Sequence, residues 1–130
     1  HEQVFADYNT VDIALDTYPF SGGLTSCEAL WMGVPVVTLA GKKPASRQTA
    51  GLLAEICLDE LISFTPSDYT DFAVDLAQDL RRLSRIRESL RTRMLSSTLC
   101  DEEQFTVDFE QTISRLFLKK QTWLKAEQSV

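Results

Sequence analysis

The sequence predicts an α/β fold, a short parallel sheet followed by a helical C-terminal region, and three observations carry that prediction. Two largely apolar stretches, Val11 to Asp16 and Val36 to Leu39, read as short, largely buried strands of the type found in parallel sheets. Between them lie a glycine turn at Gly22 and Gly23 and a helical stretch from about Thr25 to Met32, so the unit is β-loop-α-β. From Ser67 onward the apolar spacing is helical, with Phe72, Leu76, Leu80 and Leu83 recurring on one face.

In chain order, residues 2–9 lean helical and lead into the first strand. Tyr18-Pro19-Phe20-Ser21-Gly22-Gly23 is the loop at that strand's C-terminal end, where open α/β sheets bind ligands. Gly33 ends the next helix in the left-handed conformation that costs glycine least, and Pro35 opens the second strand across a right-handed connection. Ala40 to Arg47 forms a second strand-to-helix loop, with Ser46 placed to cap a helix from about Arg47 to Glu55. Leu58 to Ser63 reads as a short connection or edge strand, and Thr65-Pro66-Ser67 punctuates before the helical region. Ser96-Ser97 breaks that region, and Asp101 with Gln104 makes a capping-box-like start for the last helix. Phe105, Phe109, Ile113, Leu116 and Phe117 form an apolar stripe that needs a partner surface, and the tail from about Lys119 is polar. No repeat or linker divides the chain, so residues 1–130 read as a single domain fragment: 1–66 the nucleotide-binding part, 67–130 the helical part.

Composition narrows the function. At 130 residues the chain is long enough for one domain with a real core, and 44% hydrophobic with 25% charged residues is the balance of a soluble globular protein. No apolar run approaches the roughly 20 residues that cross a bilayer. A net charge of -6 argues against a general nucleic-acid binder, which needs phosphate-neutralising Lys and Arg. Arg81, Arg82, Arg85, Arg87, Arg91 and Arg93 are read as a solvated helix face exchanging ion pairs with neighbouring acids. Cys27, Cys57 and Cys100 have no CxxC spacing and the chain has one histidine, so neither a disulfide framework nor a zinc site is expected. A reducing cytoplasm fits that usage, and the opening at His1, with no methionine or leader, reads as an excised piece.

The chemistry concentrates in Ser21 to Val37. Two glycines let the backbone approach a bulky anion, and the N–H groups of the first helical turn then face it with the positive end of the helix dipole. Thr25 and Ser26 add hydroxyls, and Glu28 follows one turn later, where a carboxylate can accept two sugar hydroxyls. The plainer alternative is a tight turn followed by an acid that favours the helix dipole. Asp12 and Asp16 could suggest a metal or acid–base pair, but their spacing on a strand entering a turn favours hydrogen bonds to loop amides. Lys42, Lys43 and Arg47 read as a solvated loop and a capped helix, and Trp31 and Met32 as core.

The whole constellation, Gly22-Gly23-x-Thr25-Ser26 with Glu28-Ala29 and then Gly33-x-Pro35-Val36, resembles the nucleotide-sugar site of GT-B glycosyltransferases. Its flanks, Asp12 to Phe20, Ala29 to Gly33, Val37 to Gly41, Ala45 to Arg47 and Leu95 to Asp101, resemble the O-GlcNAc transferase family, closest to bacterial members linked to tetratricopeptide repeats. That resemblance implies the C-terminal portion of a Rossmann-like GT-B domain. Gly22, Gly23, Leu24, Thr25 and Ser26 would wrap the UDP pyrophosphate, Glu28 would hold the ribose, and His1 is the candidate for a histidine that the family directs at the nucleotide. It further implies an inverting transfer, without a metal cofactor, of N-acetylglucosamine from a UDP-sugar to Ser or Thr of a protein acceptor. Catalytic residues stay unassigned, and the acceptor is met through domains outside this chain, so the fragment alone is expected to be inactive. Departures are Gly23-Leu24-Thr25 where many members carry a His-Thr-Thr or Thr-rich run, Ala6 and Asp7 where basic residues are expected, and a lysine outside the chain. The alternative reading is a non-catalytic interaction module with a relict nucleotide-binding fold, and exposed sheet edges allow self-association of the fragment.

Overall fold

A computed structural model describes residues 2–127, and the side chains of residues 5–120. Three strands form one parallel sheet in the order β1-β2-β3: β1 Ala14–Leu15, β2 Val36–Leu39 and β3 Ile62–Ser63. Ala14 lies opposite Val36 and Leu15 opposite Val37, while Thr38 faces Ile62 and Leu39 faces Ser63. β2 is central, and its Val36, Val37 and Thr38 are buried, as suits β-branched side chains on a pleated surface covered on both sides.

The first strand is shorter than the apolar run suggests. Only Ala14–Leu15 pairs, and Leu15 is 59% exposed, because β1 has a neighbour on one side alone among the described residues. The burial expected of both strands is therefore met by β2 and not by β1.

Six α-helices are found among the described residues: α1 Glu2–Asp7, α2 Leu24–Trp31, α3 Gln48–Glu55, α4 Pro66–Gln78, α5 Leu80–Leu95 and α6 Glu102–Glu127. Gly33, one residue beyond the Met32 C-cap of α2, has φ +80, the left-handed terminator expected there. Ser46 does not cap α3. It closes a 3-10 turn, Pro44–Ser46, and its hydroxyl donates to the Lys43 carbonyl at 2.8 Å, leaving Arg47 as an N-cap with no side-chain bond. The helical region also breaks at Asp79, whose Oδ1 accepts the Arg82 amide at 2.9 Å and starts a new helix. Leu80 is consequently 71% exposed rather than on the face with Phe72, Leu76 and Leu83.

One core joins the sheet to α2 through α5. Leu30, Val37, Leu53, Leu58, Leu61, Leu76 and Leu90 are fully buried within it, each worth roughly 1.5–3 kcal/mol relative to exposure. The arginines of α5 finish the packing in an unexpected way. Arg91 Nε donates to the Trp31 carbonyl at 3.1 Å with its guanidinium 5.0 Å over the indole, and Arg93 Nη1 donates to the Ile56 and Cys57 carbonyls at 3.0 and 2.8 Å. These are the C-terminal ends of α2 and α3, where carbonyls lack partners and a cation is favoured. Arg87 holds the Val11 and Asp12 carbonyls and makes the one ion pair found among the described residues, with Asp12 at 3.6 Å. Carbonyl capping thus replaces much of the predicted exchange with acids. Trp31 and Met32 are half-buried, Trp31 packing on the core edge beneath Arg91.

α6 behaves differently. Asp101 caps it through the Gln104 amide at 2.9 Å, while the Gln104 side chain turns to Asp108, so half of the capping box forms. Every described side chain along it is exposed, including Phe105, Phe109, Ile113, Leu116 and Phe117.

Candidate functional site

The loop leaving β1 is organised around Asp16, a buried carboxylate. Its Oδ1 accepts the Gly22 amide at 2.7 Å, and its Oδ2 accepts the hydroxyls of Ser21 at 2.7 Å and Thr38 at 2.6 Å. The Tyr69 phenol, reaching over from α4, donates to the Asp16 carbonyl at 2.8 Å. Bonding to loop amides, rather than to an acid–base partner, is the role the sequence suggested for this residue.

Thr49, near the start of α3, ties the second half of the turn. Its amide donates to Ser21 Oγ at 3.0 Å, its hydroxyl reaches the Gly22 carbonyl at 3.0 Å, and Ser26 Oγ lies 2.8 Å from the same hydroxyl. Charge-assisted and mutually polarising bonds of this kind hold a loop firmly once every member is satisfied. No buried side-chain N or O lacks a partner among the described residues.

This anchoring sets the shape of the turn. A Cβ on Gly22 would collide with Ser26 Oγ and press to 3.1 Å from Thr25 Oγ1 and 3.2 Å from Asp16 Oδ1, so only glycine lets the turn lie this close to α2. Gly23 is the N-cap of α2, with the Cys27 amide donating to its carbonyl at 3.1 Å. The amides of Gly23, Leu24, Thr25 and Ser26 have no acceptor among the described residues. Leu24 and Thr25 are exposed at that tip. Ser26 is buried, with its hydroxyl engaged by Thr49. A cavity of about 150 Å³ opens beside the turn, lined by Tyr8, Asp16, Thr17, Gly22, Thr25 and Ser26 among others.

Glu28 is half-buried one turn further along α2, and its carboxylate accepts no hydrogen bond among the described residues. It lies near Tyr8 and Cys27. Burial first, then Glu28, pushes the Tyr8 phenol above its ordinary value near 10, so it remains a donor, here to the Thr25 carbonyl at 3.3 Å. Burial likewise raises the Cys27 thiol, with Cys100 and Glu28 adding to it, which disfavours a thiolate nucleophile. The Tyr69 phenol is raised by burial and then by Asp16. His1 lies outside the described residues.

Sequence reasoning had no signal for Thr49, which reaches the turn only because α3 packs beside α2. Thr38 and Ser21 were also missed, although a hydroxyl on the central strand beside a strand-end Asp is a pattern that could point to them. Lys42, Lys43 and Arg47 are exposed, as expected.

Comparison with known proteins places the chain. Residues 2–109 match Glycosyl transferase family 41. The chain is 44% identical over 103 residues to the probable UDP-N-acetylglucosamine–peptide N-acetylglucosaminyltransferase SPINDLY of Hordeum vulgare, a match covering 79% of this chain and 11% of that protein. It is 32% identical over 106 residues to the UDP-N-acetylglucosamine–peptide N-acetylglucosaminyltransferase of Caenorhabditis elegans, covering 82% of this chain and 9% of the other. Among solved structures, a mutant O-GlcNAc transferase of Thermobaculum terrenum superposes with a TM-score of 0.83 at 47% identity, covering 88% of this chain and 22% of that one. The chain thus spans about a tenth of the length of these curated relatives.

Proposed function

This chain belongs to glycosyl transferase family 41, and on that premise we propose that it is the C-terminal donor-binding part of an inverting glycosyltransferase. The parent enzyme moves N-acetylglucosamine from UDP to a Ser or Thr hydroxyl of a protein. The observation that carries the reading is the open tip of α2: unpaired amides from Gly23 to Ser26 behind a glycine turn, with the unbonded Glu28 carboxylate one turn on.

In this reading the pyrophosphate meets the amides of Gly23, Leu24, Thr25 and Ser26 and the exposed Thr25 hydroxyl. Gly22 supplies close approach rather than a donor, since its amide is already given to Asp16. Glu28 takes the ribose hydroxyls. As the bond from the anomeric carbon to the diphosphate breaks, negative charge grows on the leaving oxygens, and N–H groups already aimed there stabilise it more than the ground state. Because the turn is anchored by Asp16 and Thr49, little reorganisation is needed as that charge develops.

Calorimetry with UDP on the intact transferase tests the assignment. Glu28→Ala and Thr25→Ala should each weaken UDP by about 1–2 kcal/mol, the scale of one or two hydrogen bonds to charged or sugar groups. Equal UDP affinity in folded wild type and both variants would remove these roles.

The exposed stripe of α6 favours a second reading, a non-catalytic module that docks on another protein or on a second copy. Sedimentation of the isolated chain tests the second-copy form of this reading, since docking of one copy on another through the stripe requires oligomers.

A further inference from the structure

We propose that the cleft between the loops after β1 and β2 is the subsite for an acidic acceptor peptide, next to the donor turn. The location rests on the transferase reading above, while the chemistry of the cleft rests on its own residues. It has a volume of about 570 Å³, and Tyr18, Phe20 and Phe64 line it, each more than half exposed. Lys42 and Lys43 stand on its rim, exposed and without an ion pair among the described residues, and no carboxylate lines it.

The cleft is built rather than incidental. The Ser21 amide donates to the Ala45 carbonyl at 2.9 Å, joining the two loops, and the Thr17 hydroxyl donates to the Phe20 carbonyl at 2.6 Å. On the other side Gly41 donates its amide to the Ser46 carbonyl at 2.9 Å. A Cβ on Gly41 would strike the Ser46 side chain and stand 3.3 Å from the Tyr18 ring, so glycine is what lets that ring sit against the second loop. Ser21 is also held by Asp16 and Thr49, so the same hydrogen bonds that shape the donor turn fix one wall of the cleft.

The occupant follows from charge and surface. Three exposed aromatic rings in one concave patch mark an interaction site on a small domain. A transferred sugar is neutral and gives the two lysines nothing to pair with, whereas an extended peptide offers apolar groups to the rings and a carboxylate to the ammonium groups. The lysines also stand out in a chain of net charge -6, and no carboxylate lines the cleft to oppose an acidic peptide there.

The test uses the intact transferase saturated with UDP and three fluorescein-labelled Ser peptides, identical except for flanking Glu, Gln or Lys. Wild type is expected to bind the Glu peptide about three- to tenfold tighter than the Gln peptide, the yield of one or two partly screened ion pairs. Lys42→Glu combined with Lys43→Glu should reverse the order, Phe20→Ala should weaken all three peptides alike, and UDP affinity should stay unchanged in both. The same peptide ranking in wild type and the double variant overturns the proposal. So does a loss of UDP affinity in the double variant, which would give the cleft to the donor, or a change in sedimentation without a change in ranking, which would make it a contact between copies. The charge-dependent ranking without any UDP binding would instead refute the donor reading and leave the cleft standing.

Discussion

The turn after β1 and the last helix invert the usual rule of what a protein hides. Around the turn, Asp16, Ser21, Ser26, Thr38 and Thr49 are buried together, and each is hydrogen bonded. Along α6, Phe105, Phe109, Ile113, Leu116 and Phe117 are exposed, with the rings of Phe105 and Phe109 stacked at 6.0 Å. The difference teaches that burial here follows purpose rather than polarity. Polar groups are buried where a glycine turn is held in one shape, at a desolvation cost that only a complete set of bonds offsets. Apolar groups stay outside where no covering surface is present among the described residues.

If the contrast is real, mutations in the two regions must differ by several kcal/mol. The largest effect is expected from Asp16→Ala, which strips partners from the Gly22 amide and from the Ser21 and Thr38 hydroxyls at once. Breaking a buried charged hub of this kind costs about 3–5 kcal/mol, read from the midpoint of chemical denaturation. A loss below ~1 kcal/mol would mean water replaces the carboxylate and the turn is not anchored as described.

Gly22→Ala should come next. The added methyl group meets Ser26 Oγ and forces the turn away from α2, an overpacking that costs about 1–3 kcal/mol. It should also weaken UDP binding, because the amides beyond Gly23 move with the turn. Stability and affinity falling together sharpen the link between the anchored turn and the donor, whereas lost stability with intact affinity would uncouple them.

The smallest effect belongs to α6. Phe109→Ser is expected to change the stability of the isolated chain by less than about 0.5 kcal/mol, as for a surface site without partners. A larger loss would show that the stripe is covered in solution, and sedimentation of the variant beside wild type would then identify a second copy as the cover.

Much of this molecule is legible from residue order. Val36 to Leu39 shows as a buried strand in its own apolar run, and Gly33 as terminator and the Asp101 cap depend on bonds within a few residues, so local chemistry announces them. The break at Asp79 was hidden, because the apolar spacing runs on through Leu80 while a capping carboxylate restarts the backbone. The arginines of α5 were misread for a related reason. Their acceptors, the carbonyls of Trp31, Ile56 and Cys57, leave no mark on side-chain chemistry.

For the candidate site, the sequence by itself determined the elements: a glycine turn, a helix start and an acid one turn later, all contiguous between Ser21 and Glu28. Only the tertiary structure decided how these residues divide their work. Thr49 arrives from α3 to occupy the Ser26 hydroxyl, Asp16 claims the Gly22 amide, and the amides after them are left open at the tip of α2. A linear pattern records which donors a segment carries, but which donors are already spent depends on neighbours that folding brings together from 6 to 28 positions away.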